Sequence, residues 1–488
     1  MKKIEEEFLK ELDATNSNQK SFEDIKDKID VERFRKKKQK PKKMLYRILG
    51  LVAAFVFLVA ITVPSALYYT LLGGHSGGSN QLGKPPVVKA LSYAERQKAS
   101  YDDLKASAEL FASQFAAAVH RDEKGKNFAV SPMSVYMALA MCAECTAGET
   151  RNELLKALNV TYPVLEGQFD TFYRGVIAEY ESYTGEIAGR IDLTNSIWVD
   201  QSTQPKKACS DALAQKYLCH FYSVDFGRDN KGANQAIQNF VKEKTHGRID
   251  QNFKLDEATL FALINTLYLK DIWWDGGKDL PFTPKQYDFR QGDGTKKALN
   301  LLQGGYGHGR VCEAKTFTHF YTSTYHGCKL KFILPKDGYS IDEVFTEENI
   351  AAVNAMADYG EVDEKHKIRY YTRCLFPEFD ASYDNDVKKL LQSEFGVTTF
   401  FTENCNFSTL TDEVIRCTKV QHVTKLKVDK KGVEGAAVTV AGDGGASGPM
   451  GDKYTDVYSD FVVDGAFGFI LTDRYNNTLF SGVVNQLS

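Results

Sequence analysis

Three patterns in this chain could do chemistry: a CxxC pair, a scatter of histidines and a glycine-rich tract. Cys142 and Cys145 have metal or redox spacing, but they lie in "PMSVYMALAMCAEC", which reads as an apolar helix, and no second CxxC or HxxxH completes a zinc site. The nine cysteines, Cys142, Cys145, Cys209, Cys219, Cys312, Cys328, Cys374, Cys405 and Cys417, are odd in number and widely spread. They read as buried or incidental thiols, not as the dense framework of a small secreted scaffold. His308, His319, His326 and His422 are isolated in the sequence. "GDGGASG" lacks the Lys-Ser/Thr ending of a phosphate-binding loop, and there is no GxSxG elbow. An enzyme would have to assemble its site from scattered Ser, His and Cys; no catalytic residue, metal or cofactor is expected.

A different kind of chemistry is offered by "KKGVEGAAVTVAGDGGASGPMGDKYTD", Lys430 to Asp456. Its first half is small and β-prone, its second half is glycine, proline and charge, and an apolar segment follows from Phe461. This is a strand-compatible stretch set in what reads as a long exposed loop, and the rest of the chain must hold it there.

The chain has 488 residues, 43% of them apolar, enough to bury a sizeable core. A net charge of -3 from 61 basic and 64 acidic residues argues against a nucleic-acid partner, which would need a basic surface. The longest apolar run, Ile48 to Leu72, is 25 residues without a charge, and about 20 helical residues cross a bilayer core. "RFRKKKQKPKK" places eight basic residues just before it and no such cluster follows. The positive-inside rule then predicts a single-pass membrane helix over 47–72, a cytoplasmic tail with its basic stretch over 1–46, and everything later outside the cell. A cleaved signal peptide would need a shorter leader and a shorter apolar core. Residues 73–92, rich in Gly and Ser and ending in prolines, read as a linker.

From residue 93 to 488 the composition is that of one globular domain. Helical spacing appears at Leu104, Ala108, Phe111, Phe115 and Val119, and in "GANQAIQNFVKEKTHG", where Gly247 reads as the stop. "IDLTNSIWVD" reads as a strand with Ile191, Leu193, Ile197 and Val199 on one face, interrupted by Asn195. "TLFALINTLYLK" is apolar on both faces, as a central strand is. Helices and strands are segregated, so the class is α+β with a large sheet. Asn265, amid "LFALINTLYL", must find a hydrogen-bond partner across the core.

Several segments in order resemble the serpin family. "NFAVSPMSVYMALAMCAECTAGETRNELLKAL" resembles its second helix and the one after it, and "ATLFALINTLYLKDIWW" its central strand and following tryptophan. "VQHVTKLKVDKKGVEGAAVTV" resembles the strand leading to its reactive loop, and "AFGFILTDRYNNTLFSGVVNQ" its C-terminal strand pair. The match spans about Tyr93 to Ser488. The resemblance implies a serpin-like α+β fold, a large mixed β-sheet with further sheets and surrounding helices, with an exposed reactive loop near the C-terminus, here about 430–460, and a monomeric domain. It also implies that Ser131, Ser134, Asn265 and His422 form the polar cluster under the main sheet where it parts.

Such proteins offer the loop as bait to a serine protease, hold the acyl-enzyme, and insert the cut loop as a new strand. The resemblance makes Lys430, Gly432, Val433, Gly435, Ala436, Ala437 and Thr439 the hinge. On strand alternation Val433, Gly435, Ala437, Thr439 and Ala441 face inward and Glu434 faces solvent. At about 0.5–1.5 kcal/mol net per backbone hydrogen bond, an added strand is worth on the order of ten, so the uncut form would be kinetically trapped. Counting from the hinge places the reactive bond at Ala446-Ser447. Counting back from the C-terminal strand favours Thr455-Asp456, with Met450, Lys453 and Tyr454 as further alternatives. The expected function is suicide inhibition of extracellular serine endopeptidases, elastase-like or subtilisin-like, with cysteine endopeptidases as a second class. Lys430, where inhibitory members usually carry Glu, and the Gly-rich distal loop keep open a non-inhibitory member that binds or displays.

Overall fold

The segment from Phe261 that reads as apolar on both faces is the strand around which the main sheet is built. In the computed structural model the described residues are 79–181, 187–273, 279–356, 359–433 and 454–487. The tail 1–46, the span 47–72, and loop residues 434–453, with Gly435, Ala436, Ala437, Thr439, Ala446, Ser447, Met450 and Lys453, lie outside them. Among the described residues no helix is long and apolar enough to cross a membrane.

In chain order the strands that position the site are β1 (Asn80–Gly83), β2 (Ala178–Glu181), β3 (Ile187–Asp200), β4 (Cys219–Val224), β5 (Phe261–Ile272), β6 (Leu302–His308), β7 (Val362–Asp363), β8 (Ile368–Phe376), β9 (Phe379–Asp386), β10 (Gln421–Asp429), β11 (Gly432–Val433) and β12 (Thr455–Val462). The main sheet runs β1-β4-β3-β5-β11-β10-β9, with β2 on β3. A second sheet joins 128–130, 312–313, 317–323, 329–335, 467–472 and 478–484, and a third has β8 between β12 and the pair β6 and β7.

Four helices pack this frame: α1 (Asp102–Asp122), α2 (Pro132–Cys145), α3 (Tyr162–Val176) and α4 (Lys207–Gln215), while α5 (Asn230–Lys244) covers the other face of the main sheet. Every residue of α2 is buried, as expected of a helix apolar all round. Ser131 caps it, its hydroxyl accepting from the Ser134 amide at 3.3 Å, and Pro132 fits the first turn, where no amide partner is needed.

β5 alternates between two cores. Leu263, Leu267 and Leu269 enter the main core, whereas Ala262 and Ile264 pack with Trp198, Ile237 and Phe240 beneath α5. The long antiparallel ladder from Arg190↔Lys270 to Val199↔Phe261 fixes β3 against β5.

The linker reading over 73–92 needs correction. Asn80–Gly83 is an edge strand, paired antiparallel with β4 from Asn80↔Ser223 to Gly83↔Phe221, and Leu91 is buried. The domain therefore begins before Tyr93. Backbone pairing at a sheet edge needs no apolar alternation, so polar "NQLG" gives no strand signal.

Candidate functional site

The hinge begins inside the sheet. Asp429 and Gly432 face each other across a two-residue turn, Lys430-Lys431, and β11 pairs with β10 through Val428↔Val433 and with β5 through Gly432↔Ile272 and Val433↔Asp271. Among the described residues, β11 is the only strand that pairs with both β5 and β10. Val433 is fully buried, on the inward parity read from the sequence. Lys430 lies in the turn, where its ammonium meets Asp279 at 3.0 Å, its amide donates to Glu378 at 2.9 Å and its carbonyl accepts from Leu280 at 2.7 Å. The Asp279 carboxylate holds the Lys430 ammonium above its usual range. The Trp273 indole donates to the Asp429 carbonyl at 2.7 Å and fixes the turn from below.

Next to the hinge sits a cluster the sequence reading missed. The buried Asp271 carboxylate takes the Thr324 hydroxyl, the His326 amide at 3.3 Å and His326 Nδ1 at 2.6 Å. His326 stacks on Tyr180 at 4.3 Å with parallel rings. These bonds tie the end of β5 to a turn 53 to 55 residues away, at the point where Val433 joins the ladder. The only sequence signal is an acid set between Lys270 and Ile272 near the end of a mostly apolar strand, which must be partnered if buried.

Lower in the sheet, Ser131, Ser134 and His422 come together. The Ser131 amide donates to His422 Nε2 at 3.1 Å, so that nitrogen is unprotonated. Burial drives the His422 pKa down to about 3. Phe115 meets the imidazole edge-on at 5.9 Å. Thr424, two residues on, donates to the Ala129 carbonyl. The Asn265 side chain meets that of Asn195, its ladder partner on β3, at 2.8 Å and lies 3.3 Å from the Ala138 amide of α2, and Asn195 donates to the Tyr217 carbonyl at 3.1 Å. The four residues named from the sequence therefore form two groups: a serine-histidine link between α2 and β10, and an asparagine pair joining β3 to β5.

A narrow crevice between β5 and β10 is lined by Leu267, Tyr268, Lys425 and Leu426, together with Thr245 and Ile249. It lies along the line that β11 would follow if extended.

The far end of the loop is also anchored. The Tyr454 hydroxyl donates to the Glu364 carboxylate at 2.8 Å, and Lys367 and Arg369 lie 5.2 and 5.7 Å from its ring centroid. The Thr455 amide donates to the Lys367 carbonyl at 2.8 Å, and β12 pairs parallel with β8 from Ile368↔Thr455 to Leu375↔Val462. Tyr454 and Thr455 are held against the third sheet, so the count that placed the reactive bond at Thr455-Asp456 falls inside a strand ladder.

Burial pushes the thiols of Cys142, Cys145, Cys219, Cys328, Cys374, Cys405 and Cys417 above their usual range, these seven and Cys209 form no disulfide, and among the described residues no His, Cys, Asp or Glu group could hold a metal.

The first residues of the hinge sit between two strands of the main sheet, a buried polar cluster adjoins them, and Tyr454 and Thr455 are held against the third sheet. The family model for "Serpin (serine protease inhibitor)" matches residues 106–487. The chain belongs to the serpin family. Among relatives, Iripin-2 of Ixodes ricinus is 25% identical over 383 residues, 74% of this chain and 88% of that protein. Corticosteroid-binding globulin of Ovis aries is 25% identical over 351 residues, 70% of this chain and 77% of that one. The native structure of the thermophilic serpin Tengpin superposes with a TM-score of 0.63 at 22% identity, covering 84% of this serpin and all of Tengpin. That likeness establishes the α+β serpin fold.

Proposed function

We propose that this serpin is a membrane-tethered, single-use inhibitor of extracellular serine proteases, cut at Ala446-Ser447 and trapping the acyl-enzyme as the loop enters the main sheet. The observation that carries the reading is β11: Gly432 and Val433 already pair between β5 and β10, so insertion extends an existing ladder. Anchoring of Tyr454 and Thr455 supports an upstream bond, since a protease needs several extended residues on each side. A small residue at Ala446 suits elastase-like and subtilisin-like pockets. The membrane tether, the outward topology and the cell-membrane location rest on the apolar run Ile48 to Leu72 and the basic cluster before it.

The test is incubation of the protein with elastase-like, trypsin-like, chymotrypsin-like and subtilisin-like proteases, followed by intact mass under denaturing conditions. A covalent adduct and a released peptide starting at Ser447 support the reading. Cleavage without adduct and without a rise in thermal stability overturns it.

A second reading, a non-inhibitory binding or display protein, is favoured by Lys430 in the hinge turn and by the corticosteroid-binding globulin relatives. Clean cleavage without adduct, together with saturable binding of a corticosteroid, would support it.

A further inference from the structure

The CxxC that stands out in the sequence does not stand alone in the fold. Cys142, Cys145, Cys209, Cys219, Cys405 and Cys417 are all buried in the main core around the last turn of α2, near enough to influence one another's ionisation. The loop and the polar clusters beside it use none of them.

Two of these thiols are brought together by the backbone. Cys145 ends α2, and its carbonyl accepts from the Leu410 amide at 3.2 Å. The Leu410 carbonyl in turn accepts from the Lys206 amide at 2.7 Å, and the Lys206 carbonyl accepts from the amide of Cys209, in the first turn of α4, at 3.1 Å. One run of three backbone bonds therefore carries the end of α2 to the start of α4. Both side chains enter the same core, Cys145 0% and Cys209 2% exposed. After burial itself, the neighbouring Cys209 thiol is the main influence on the Cys145 thiol, and both push it above its usual range.

Other pairings of Cys145 fit less well. Cβ atoms three residues apart on a helix stand about 5–6 Å apart, whereas a disulfide needs about 3.5–4.5 Å, so Cys142 and Cys145 cannot close on each other while α2 keeps its last turn. The Cys219 thiol donates to the His220 carbonyl at 3.3 Å, and the Cys417 thiol to the Lys419 carbonyl at 3.3 Å. Among the described residues Cys145 and Cys209 have no such acceptor.

We propose that Cys145 and Cys209, free thiols in this structure, form a disulfide when the chain folds in an oxidising compartment, bracing α2 to α4. The oxidant is a small-molecule disulfide such as oxidised glutathione. The thiolate of one cysteine attacks it, expelling one glutathione thiolate and leaving a mixed disulfide, and the thiolate of the other cysteine then displaces the second glutathione. Two electrons and two protons pass from the protein thiols to the glutathione disulfide, which leaves as two glutathiones. Because the folded core disfavours a thiolate, the bond closes during folding, and once buried it is sheltered from reductants. α2 is then fixed at both ends, through Ser131 to His422 on β10 and through Cys145 to the helix between β3 and β4. The proposal takes its oxidising compartment from the outward topology of the proposed function; the pairing itself rests on the packing alone.

The test uses the full-length chain in two ways. Chain made in insect cells is blocked with N-ethylmaleimide before lysis, and chain purified under reductant in detergent is exposed to oxidised glutathione in urea just below its unfolding midpoint, where the core opens transiently. Peptides from both are mapped by mass with and without reduction. The expected result is a Cys145-Cys209 peptide pair in both samples and a melting temperature several degrees higher in oxidised than in reduced protein, as a cross-link that closes a long loop gives. Cys209→Ser should lose both effects and Cys312→Ser should keep them. A glutathione-treated chain in which Cys145 is unpaired, or is bonded to Cys142 or Cys219, overturns the proposal, as do equal melting temperatures of oxidised and reduced protein. A bond formed with glutathione but absent from the insect-cell chain upholds the pairing and overturns the outward topology instead.

Discussion

Gly432 passes so close to Asp271 that a Cβ on the glycine would lie 2.1 Å from the Asp271 carbonyl oxygen. No side chain fits there unless the hinge or β5 moves. Gly432→Ala should break the short ladder that seats Val433, at a cost of roughly 1–3 kcal/mol, the range for a strained backbone position. Hydrogen exchange should show the Val433 amide losing protection while β3 keeps its own. Unchanged protection at Val433 would mean the close approach relaxes without cost.

Acid sensitivity follows from the buried imidazoles. Burial lowers the pKa of His422 to about 3 and of His220 and His319 to about 4, against 6.5 in the open chain. Between those values the unfolded state holds more protons than the folded one, so stability falls as pH drops below about 6.5 and levels off near the folded values. At pH 5 each group costs up to about 2 kcal/mol. The melting temperature should fall steeply from pH 7 to pH 5, and His422→Gln, which still accepts from the Ser131 amide, should flatten that slope. A slope equal to that of the natural chain would remove His422 as a contributor.

The segment before residue 93 should stabilise the main sheet. β1 covers the edge of β4, Leu91 donates its amide to the Arg174 carbonyl at 2.9 Å, and Arg174 donates back to the Lys89 carbonyl at 3.0 Å. A chain starting at Tyr93 loses these bonds, each worth about 0.5–1.5 kcal/mol, and bares a sheet edge open to association. Compared with a chain starting at Ser79, it should melt lower and show faster exchange at Phe221 and Ser223. Identical melting curves would make β1 ornamental.

Which of these features the sequence discloses depends on the forces involved. Val433 facing inward was legible because strand alternation fixes it, and β5 was legible because a strand buried on both faces must be apolar throughout. The pairing of Asn265 with Asn195 was legible only as a need, since composition demands a partner without giving the register that supplies it. Asp271 and His326 meet across 55 residues with no shared motif, and their bond becomes visible only when the top of β5 is placed. β1 escaped notice because an edge strand is held by backbone amides, which every sequence possesses. The strand at Thr455, where the second count ended, gives no apolar signal for the same reason: the polar run "TDVYSD" pairs with β8 through its backbone and through Arg369 and Arg373.

The loop's inward parity can be tested where the sequence alone defines it. On the alternation read from the sequence, insertion would place Ala437 on the same inward face as Val433 and carry it into the crevice lined by Leu267 and Leu426. Ala437→Arg would bring a charge into that apolar line, where an unpaired ion is far too costly to bury. The variant should be cut by the same protease at the same bond, while the fraction ending as covalent adduct falls tenfold or more and the cleaved product fails to gain thermal stability. Ala436→Arg, one residue over and facing solvent, should leave that fraction within about twofold. Equal loss in both variants would mean that the parity is wrong or that the loop does not insert.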